Sequence, residues 1–200
     1  MTSAKLVPAA LLACALGGCT VFGLARSEAP SLFTLEASLA GAPRRGAPAP
    51  AILVAAPSAR PGYDGARMAY VTRAYEIQFF AHHEWVAPPA QMLAPLLVEA
   101  LERGGRFRAV QSPAEVLPAF RLETEIVALQ QEFTPRPSQT RFKLRARLVD
   151  VAQRRVLAAE EFEAAEPAPS DGPYGGVVAA NRAVTRVLAD LAKWCDAQAP

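Results

Sequence analysis

The sequence predicts an α+β domain, a mostly antiparallel, mixed β-sheet with two main helices packed on one face. Three observations lead there. Residues 120–164 alternate apolar and charged side chains with the two-residue period of strands. Two stretches, one after Pro89 and one after Pro173, carry apolar residues at helical spacing. Between them lie short apolar runs cut by Pro and Gly, as expected of short strands and turns.

Ser31 to Ala37 predicts a first strand, with Phe33, Leu35 and Ala37 on its apolar face. Residues 38–50 are rich in Ala, Gly and Pro, include Arg44-Arg45, and read as an exposed loop. Ala51 to Ala56 is an apolar run stopped by Pro57, fitting a buried central strand. Pro61-Gly62 and Asp64-Gly65 mark turns. Two short strands follow, Met68–Arg73 and Tyr75–Phe80, in a hairpin arrangement. Residues 81–85 then lead as a polar loop to a helix starting at Pro89, where a missing N–H costs nothing. Met92, Leu93, Leu96, Leu97, Ala100 and Leu101 form its apolar stripe. Pro95 interrupts that stripe and predicts a kink or a later start, and Gly104-Gly105 ends it. Phe107–Val110 is a short strand.

The second half reads as a three-stranded meander. In Phe120–Phe133 the alternation shifts after Ile126, which predicts a bulge. Arg141–Val151 places Phe142, Leu144, Ala146 and Leu148 on one face and Arg141, Lys143, Arg145 and Arg147 on the other. After a turn at Arg154-Arg155, Val156–Ala164 returns with Phe162 inward and Glu161 and Glu163 outward. A loop over 167–173 precedes a last helix from about Tyr174 to Ala197.

The N-terminus is of another kind. Lys5 precedes an apolar run, Leu6 to Gly18, whose thirteen residues make roughly 20 Å of helix, too short for a ~30 Å hydrocarbon core. It reads as a secretory signal peptide. Leu16-Gly17-Gly18-Cys19 resembles a bacterial lipobox, so residues 1–18 are expected to be a lipoprotein signal peptide. Cys19 is then the lipidated first residue of a tether over 19–30, and residues 31–197 form a single domain. Several acyl chains on one Cys give a firm membrane anchor, at about 0.8 kcal/mol per buried CH₂. Thr20, rather than Asp, follows the Cys, which by the rule for such lipoproteins favours the outer membrane, facing the periplasm.

Composition narrows the function. The mature chain holds 20 basic and 19 acidic residues, so nothing argues for nucleic acid as a partner. Cys14 leaves with the signal peptide and Cys19 is consumed by lipid. Cys195 is left as a half-buried thiol near a helix end, without an intramolecular disulfide or a multi-cysteine metal site. His82-His83-Glu84 is the one candidate for metal or acid–base work, yet neighbours on a strand point to opposite faces, and the spacing is not that of a zinc protease. Nucleophile-elbow, dinucleotide and Walker motifs are absent from the sequence, so no catalytic residues, metal or cofactor are assigned. Glu123, Glu125, Glu160, Glu161 and Glu163 beside the basic face of 141–147 read as cross-strand ion pairs, or as a charged docking surface. Tyr70, Arg73, Tyr75, Phe79, Trp85 and Met92 lie close in sequence. They are read as core, or in part as a groove for a partner or lipid.

The order lipobox, Phe33-Thr34-Leu35-Glu36, the 53–57 strand, Arg73-Ala74-Tyr75, Glu84-Trp85, Pro88-Pro89 and the Leu93/Leu97/Leu101 helix resembles the ABC-type transport auxiliary lipoproteins, the PqiC-like family. The resemblance spans about 31–195, with Phe33 standing where the family pattern suggests Tyr. It implies a non-enzymatic accessory subunit that docks an Mce-domain protein served by an ABC permease and ATPase, moving lipids or hydrophobic solutes. A structural or assembly lipoprotein of another envelope complex is the alternative, and a hydrolase using His82 or His83 a third reading.

Overall fold

The computed structural model of the chain describes residues 29–41, 49–113, 116–134 and 136–199. Cys19, the signal segment, most of the tether and Arg44-Arg45 lie outside them. The elements run β1 (Ser31–Phe33), β2 (Ala51–Val54), β3 (Ser58–Ala59), β4 (Arg67–Val71), β5 (Gln78–Trp85), α1 (Pro89–Gly104), β6 (Arg108–Val110), β7 (Phe120–Glu132), β8 (Gln139–Asp150), β9 (Arg155–Pro167) and α2 (Pro173–Gln198).

The sheet is organised by β7. Along one edge it pairs antiparallel with β8 over its full length, and β8 pairs likewise with β9. Along its other edge three short strands follow one another in parallel register. Ile52–Val54 lie opposite Phe120–Leu122, Ser58–Ala59 opposite Glu125–Ile126, and Ala69–Val71 opposite Gln130–Glu132. Beyond them β2 carries β6, and β4 carries β5, which carries β1. The long meander makes the sheet largely antiparallel, and the short strands make it mixed. The bulge foreseen after Ile126 falls between Ile126 and Ala128. It moves the helix-facing positions of β7 from Leu122, Thr124 and Ile126 to Leu129 and Gln131, all five buried.

Two expectations need correction. The first strand stops at Phe33, three residues rather than seven. Leu35 is still buried, because the chain leaves the sheet and lies along α2. There Asn181 Oδ1 accepts from the Glu36 N–H and Thr185 Oγ1 from the Ser38 N–H, both at 3.1 Å. Helix side chains thus replace a strand partner, and the alternation survives without a ladder. Residues 81–85, read as a loop, belong to β5. Their main chain pairs in parallel with β1, Ser31 to Phe33 opposite His83 to Trp85. That partner lies some fifty residues upstream, so the local sequence carries no sign of it. A register shift between β4 and β5 takes up the extra length.

Both helices pack on the same face of the sheet and against each other, α2 over β7–β9 and α1 beside β2, β3 and β6. Phe142, Leu144, Ala146 and Leu148 point into this layer and are fully buried against Val184, Leu188 and Leu191 of the core cluster. α1 runs unbroken through Pro95. The proline removes the hydrogen bond to the Gln91 carbonyl, but both residues are exposed, so water meets that group. Gly105, at φ 80°, ends α1 in the left-handed conformation that glycine adopts without strain.

On the opposite face the register forms an ionic ladder. Arg145 bridges Glu125 and Glu161 at 3.1 and 3.2 Å, Lys143 meets Glu161 at 2.6 Å, and Arg147 reaches Glu123 at 3.5 Å. Arg141 pairs with Glu132 at 2.7 Å and with Glu163.

Candidate functional site: an aromatic row at one end of the sheet

The C-terminal end of β7 meets several other turns of the chain. The β4–β5 hairpin tip, the β7–β8 turn and the N-terminus of α2 all come together there. Thr134 Oγ1 donates to the Thr72 carbonyl at 3.3 Å, joining the first two. Gln131 Nε2 donates to Ser138 Oγ at 3.0 Å and to the Gly172 carbonyl at 3.4 Å, and Thr140 Oγ1 to the Gly176 carbonyl at 2.8 Å, joining α2 to the sheet. Asp171 accepts from the Ser138 N–H at 2.9 Å, and that bond, with the Ser138 hydroxyl, holds its carboxyl below the ordinary range.

Across this end runs a row of rings. Tyr174 approaches Phe33 at 6.4 Å between centroids, Phe33 stacks on His83 at 6.0 Å, and His83 meets Phe80 edge-on at 6.1 Å. Phe80 lies 4.6 Å from Tyr70, whose other side meets Phe133 edge-on at 5.8 Å. The separations are those of favourable aromatic pairs. Tyr174 is exposed and the other five rings are half-buried. The hollow beneath the row has a volume of about 10 Å³, room for one water and far too little for an acyl chain.

The residues singled out in the sequence separate into three environments. Trp85 is buried and Met92 packs on the core from α1. Phe79 faces away from the row and is covered by Arg67, whose guanidinium carbon lies 3.9 Å from the ring centre. Tyr70, Arg73 and Tyr75 stay together at the hairpin. The Tyr70 hydroxyl donates to Gln78 Oε1 at 2.7 Å, and Arg73 pairs with Glu76. Tyr75 projects fully into solvent from a backbone at φ 69°, beside exposed Ile77. No single groove joins all six. Phe133 and Tyr174 escaped the sequence reading because they come from segments some sixty and one hundred residues away, and neither carries a local signal.

His82 and His83 lie on β5, and His83 is sandwiched in the ring row. Among the described residues no cluster of His, Cys, Asp and Glu has the arrangement of a metal site. At the other end of the molecule Cys195 is fully buried, not half-buried. Arg106 donates to the Asp196 and Ala199 carbonyls at 2.7 Å and ties the end of α2 down over it. Burial, with Asp196 beside it, pushes the thiol up to about 12.

Known proteins place this architecture. Two crystal structures share it. One is protein XCC0632 from Xanthomonas campestris, 22% identical, with a TM-score of 0.74 over 84% of this chain and 96% of that one. The other is an uncharacterized protein, 14% identical, with a TM-score of 0.69 over 84% and 99%. At these identities the likeness is one of fold. No curated protein matches the sequence. A family profile does, that of the ABC-type transport auxiliary lipoprotein component, over residues 33–192. That match spans most of the chain and nearly all of the described sheet and helix layer, and the chain belongs to the ABC-type transport auxiliary lipoprotein family.

Proposed function

We propose that this auxiliary lipoprotein is anchored to the outer membrane through Cys19, faces the periplasm, and docks an Mce-domain protein. That protein's permease and ATPase would move lipids or hydrophobic solutes. The observation that carries the reading is the family match over 33–192 on a chain that opens with Lys5, an apolar run and Leu16-Gly17-Gly18-Cys19. The family is one of transport auxiliaries rather than enzymes. Among the described residues, no helix is long and apolar enough to cross a membrane, which accords with an anchor made by lipid. The row of half-exposed rings and the hairpin with Tyr70, Arg73 and Tyr75 supply an apolar contact surface, the kind that marks interaction sites.

The test is affinity capture of the mature protein from detergent-solubilised envelopes. Recovery of an Mce-domain protein with its permease and ATPase is the expected result. Recovery of a different envelope assembly in their place would move the protein to the alternative role.

A further inference from the structure

We infer that the end of the domain formed by the β4–β5 hairpin tip and the start of α2 rests on the membrane that holds the Cys19 acyl chains, with Tyr75, Ile77 and Tyr174 in the headgroup–acyl boundary. This rests on the lipid anchor of the proposed function and adds an orientation to it. The first support is exposure. Tyr75, Ile77 and Tyr174 are large, apolar and solvent-facing; the β4–β5 register sets the first two, and the contact with the Phe33 ring sets Tyr174, at one end of the sheet. Tyr is a residue of membrane interfaces, an apolar ring carrying a polar tip.

The second support is backbone strain. Tyr75 adopts φ 69°, a left-handed conformation that a residue with a Cβ adopts only under strain. A bulky ring is therefore displayed at a position that glycine would occupy more comfortably, at the tip of a turn closed by the Glu76 N–H on the Arg73 carbonyl and by the Arg73–Glu76 pair, while the ring itself stays in solvent.

The third is the tether. β1 runs parallel to β5, so the chain enters β1 from the same end. Ten residue steps separate Cys19 from Ala29, a reach of at most about 35 Å. Ser31 lies roughly level with residue 128 of β7. The sheet therefore extends roughly 27 Å further toward its opposite end. Turning that opposite end to the membrane would use up nearly the whole reach. With this end down the tether stays slack and holds the rings at a high effective concentration over the bilayer. The charges here are mixed, Arg73 paired with Glu76 and Arg136 near Asp171, so the contact is apolar and insensitive to salt.

The experiment uses the mature acylated protein in vesicles of phosphatidylethanolamine and phosphatidylglycerol with brominated acyl chains. Tyr75→Trp, Tyr174→Trp and, at the far β8–β9 turn, Gln153→Trp are each compared with wild type. The expected result is that the Trp at 75 and at 174 loses most of its added fluorescence, in low and high salt alike, while the Trp at 153 loses none. Equal quenching at the three positions, or stronger quenching at 153, overturns the orientation. Intact mass of the same samples separates the two levels. Acylated protein with equal quenching refutes this inference alone, and protein without acyl chains on Cys19 refutes the anchor and the inference with it.

Discussion

Replacing Gly176 with Ala tests how α2 is seated on the sheet. A Cβ built there would lie 2.7 Å from Gln131 Cδ, and nearer still to its Oε1, which no unstrained structure permits. Gln131 is buried, so it cannot swing into solvent, and moving it breaks its bonds to Ser138 and Gly172. Two effects oppose each other. Gly→Ala within a helix interior is worth up to about 1 kcal/mol in favour of Ala. Overpacking costs about 1–3 kcal/mol, and a lost buried hydrogen bond about 1 kcal/mol more. The clash wins, for a net loss of about 2 kcal/mol, or roughly 4–8 °C in Tm for a domain of this size. The assay is thermal unfolding of Gly176→Ala, Gln131→Ala and the double variant. Once Gln131 is truncated the clash is gone, so Gly176→Ala should be neutral or stabilising in that background, with a coupling of at least about 2 kcal/mol. A Tm for Gly176→Ala equal to or above wild type, or strict additivity in the double variant, would refute the close packing of α2 on β7.

Cys19→Ser is expected to leave the unfolding transition of the domain unchanged while moving the protein from the membrane to the soluble fraction, and with it abolishing transport-linked function; full function in the soluble form would contradict the anchor reading. The Glu132 carboxyl lies below its ordinary range, because donation from Arg141, Gln139 and Gln130 outweighs a burial that opposes it. A depressed folded value gives stability that is present above the unfolded value and is lost as pH falls through the folded one, so urea midpoints should drop in acid, with a shallower slope for Glu132→Gln. The Cys195 thiol, raised to about 12 and fully buried, should resist a thiol reagent in the native mature protein and react once urea unfolds it; prompt native reaction would mean the end of α2 is not held as seen.

The parts of the fold legible in the sequence are those whose environment is set by near neighbours. β8 shows its two faces because Phe142, Leu144, Ala146 and Leu148 meet one helix layer while Arg141 to Arg147 meet water and glutamates, a local period of two. α1 was bounded by Pro89 and by Gly104-Gly105, whose backbone constraints act at the residue itself. What was not legible depends on distant partners. Leu35 and Ala37 keep a strand's alternation off the sheet because Asn181 and Thr185, about 145 residues on, accept from the main-chain N–H groups of Glu36 and Ser38 that alternate with them. Residues 81–85 become strand only because β1 lies beside them. The same limit applied to the site. Tyr70, Arg73 and Tyr75 stood out through their clustering in sequence, whereas the row they adjoin is assembled from β1, β4, β5, the β7–β8 turn and α2.

That assembly bears on where recognition takes place. One face of the sheet is closed by the helices and is core. The other carries the ladder in which Arg141, Lys143, Arg145 and Arg147 are matched by Glu123, Glu125, Glu132, Glu161 and Glu163. Charges alternating at this spacing produce little field beyond a Debye length of about 8 Å, so this face has little reach for steering a charged partner. Each exposed pair is worth roughly 0–1 kcal/mol, which stiffens the strand register without storing binding energy. The rings at the end of β7 differ on both counts, being apolar, incompletely buried and held by the hydrogen-bonded seat of α2. A surface that is preorganised yet unsatisfied gives up little entropy on contact and gains burial, the combination that favours association. With the proposed anchor at Cys19, the end that carries both the rings and the incoming tether is where we propose that membrane and partner meet the domain.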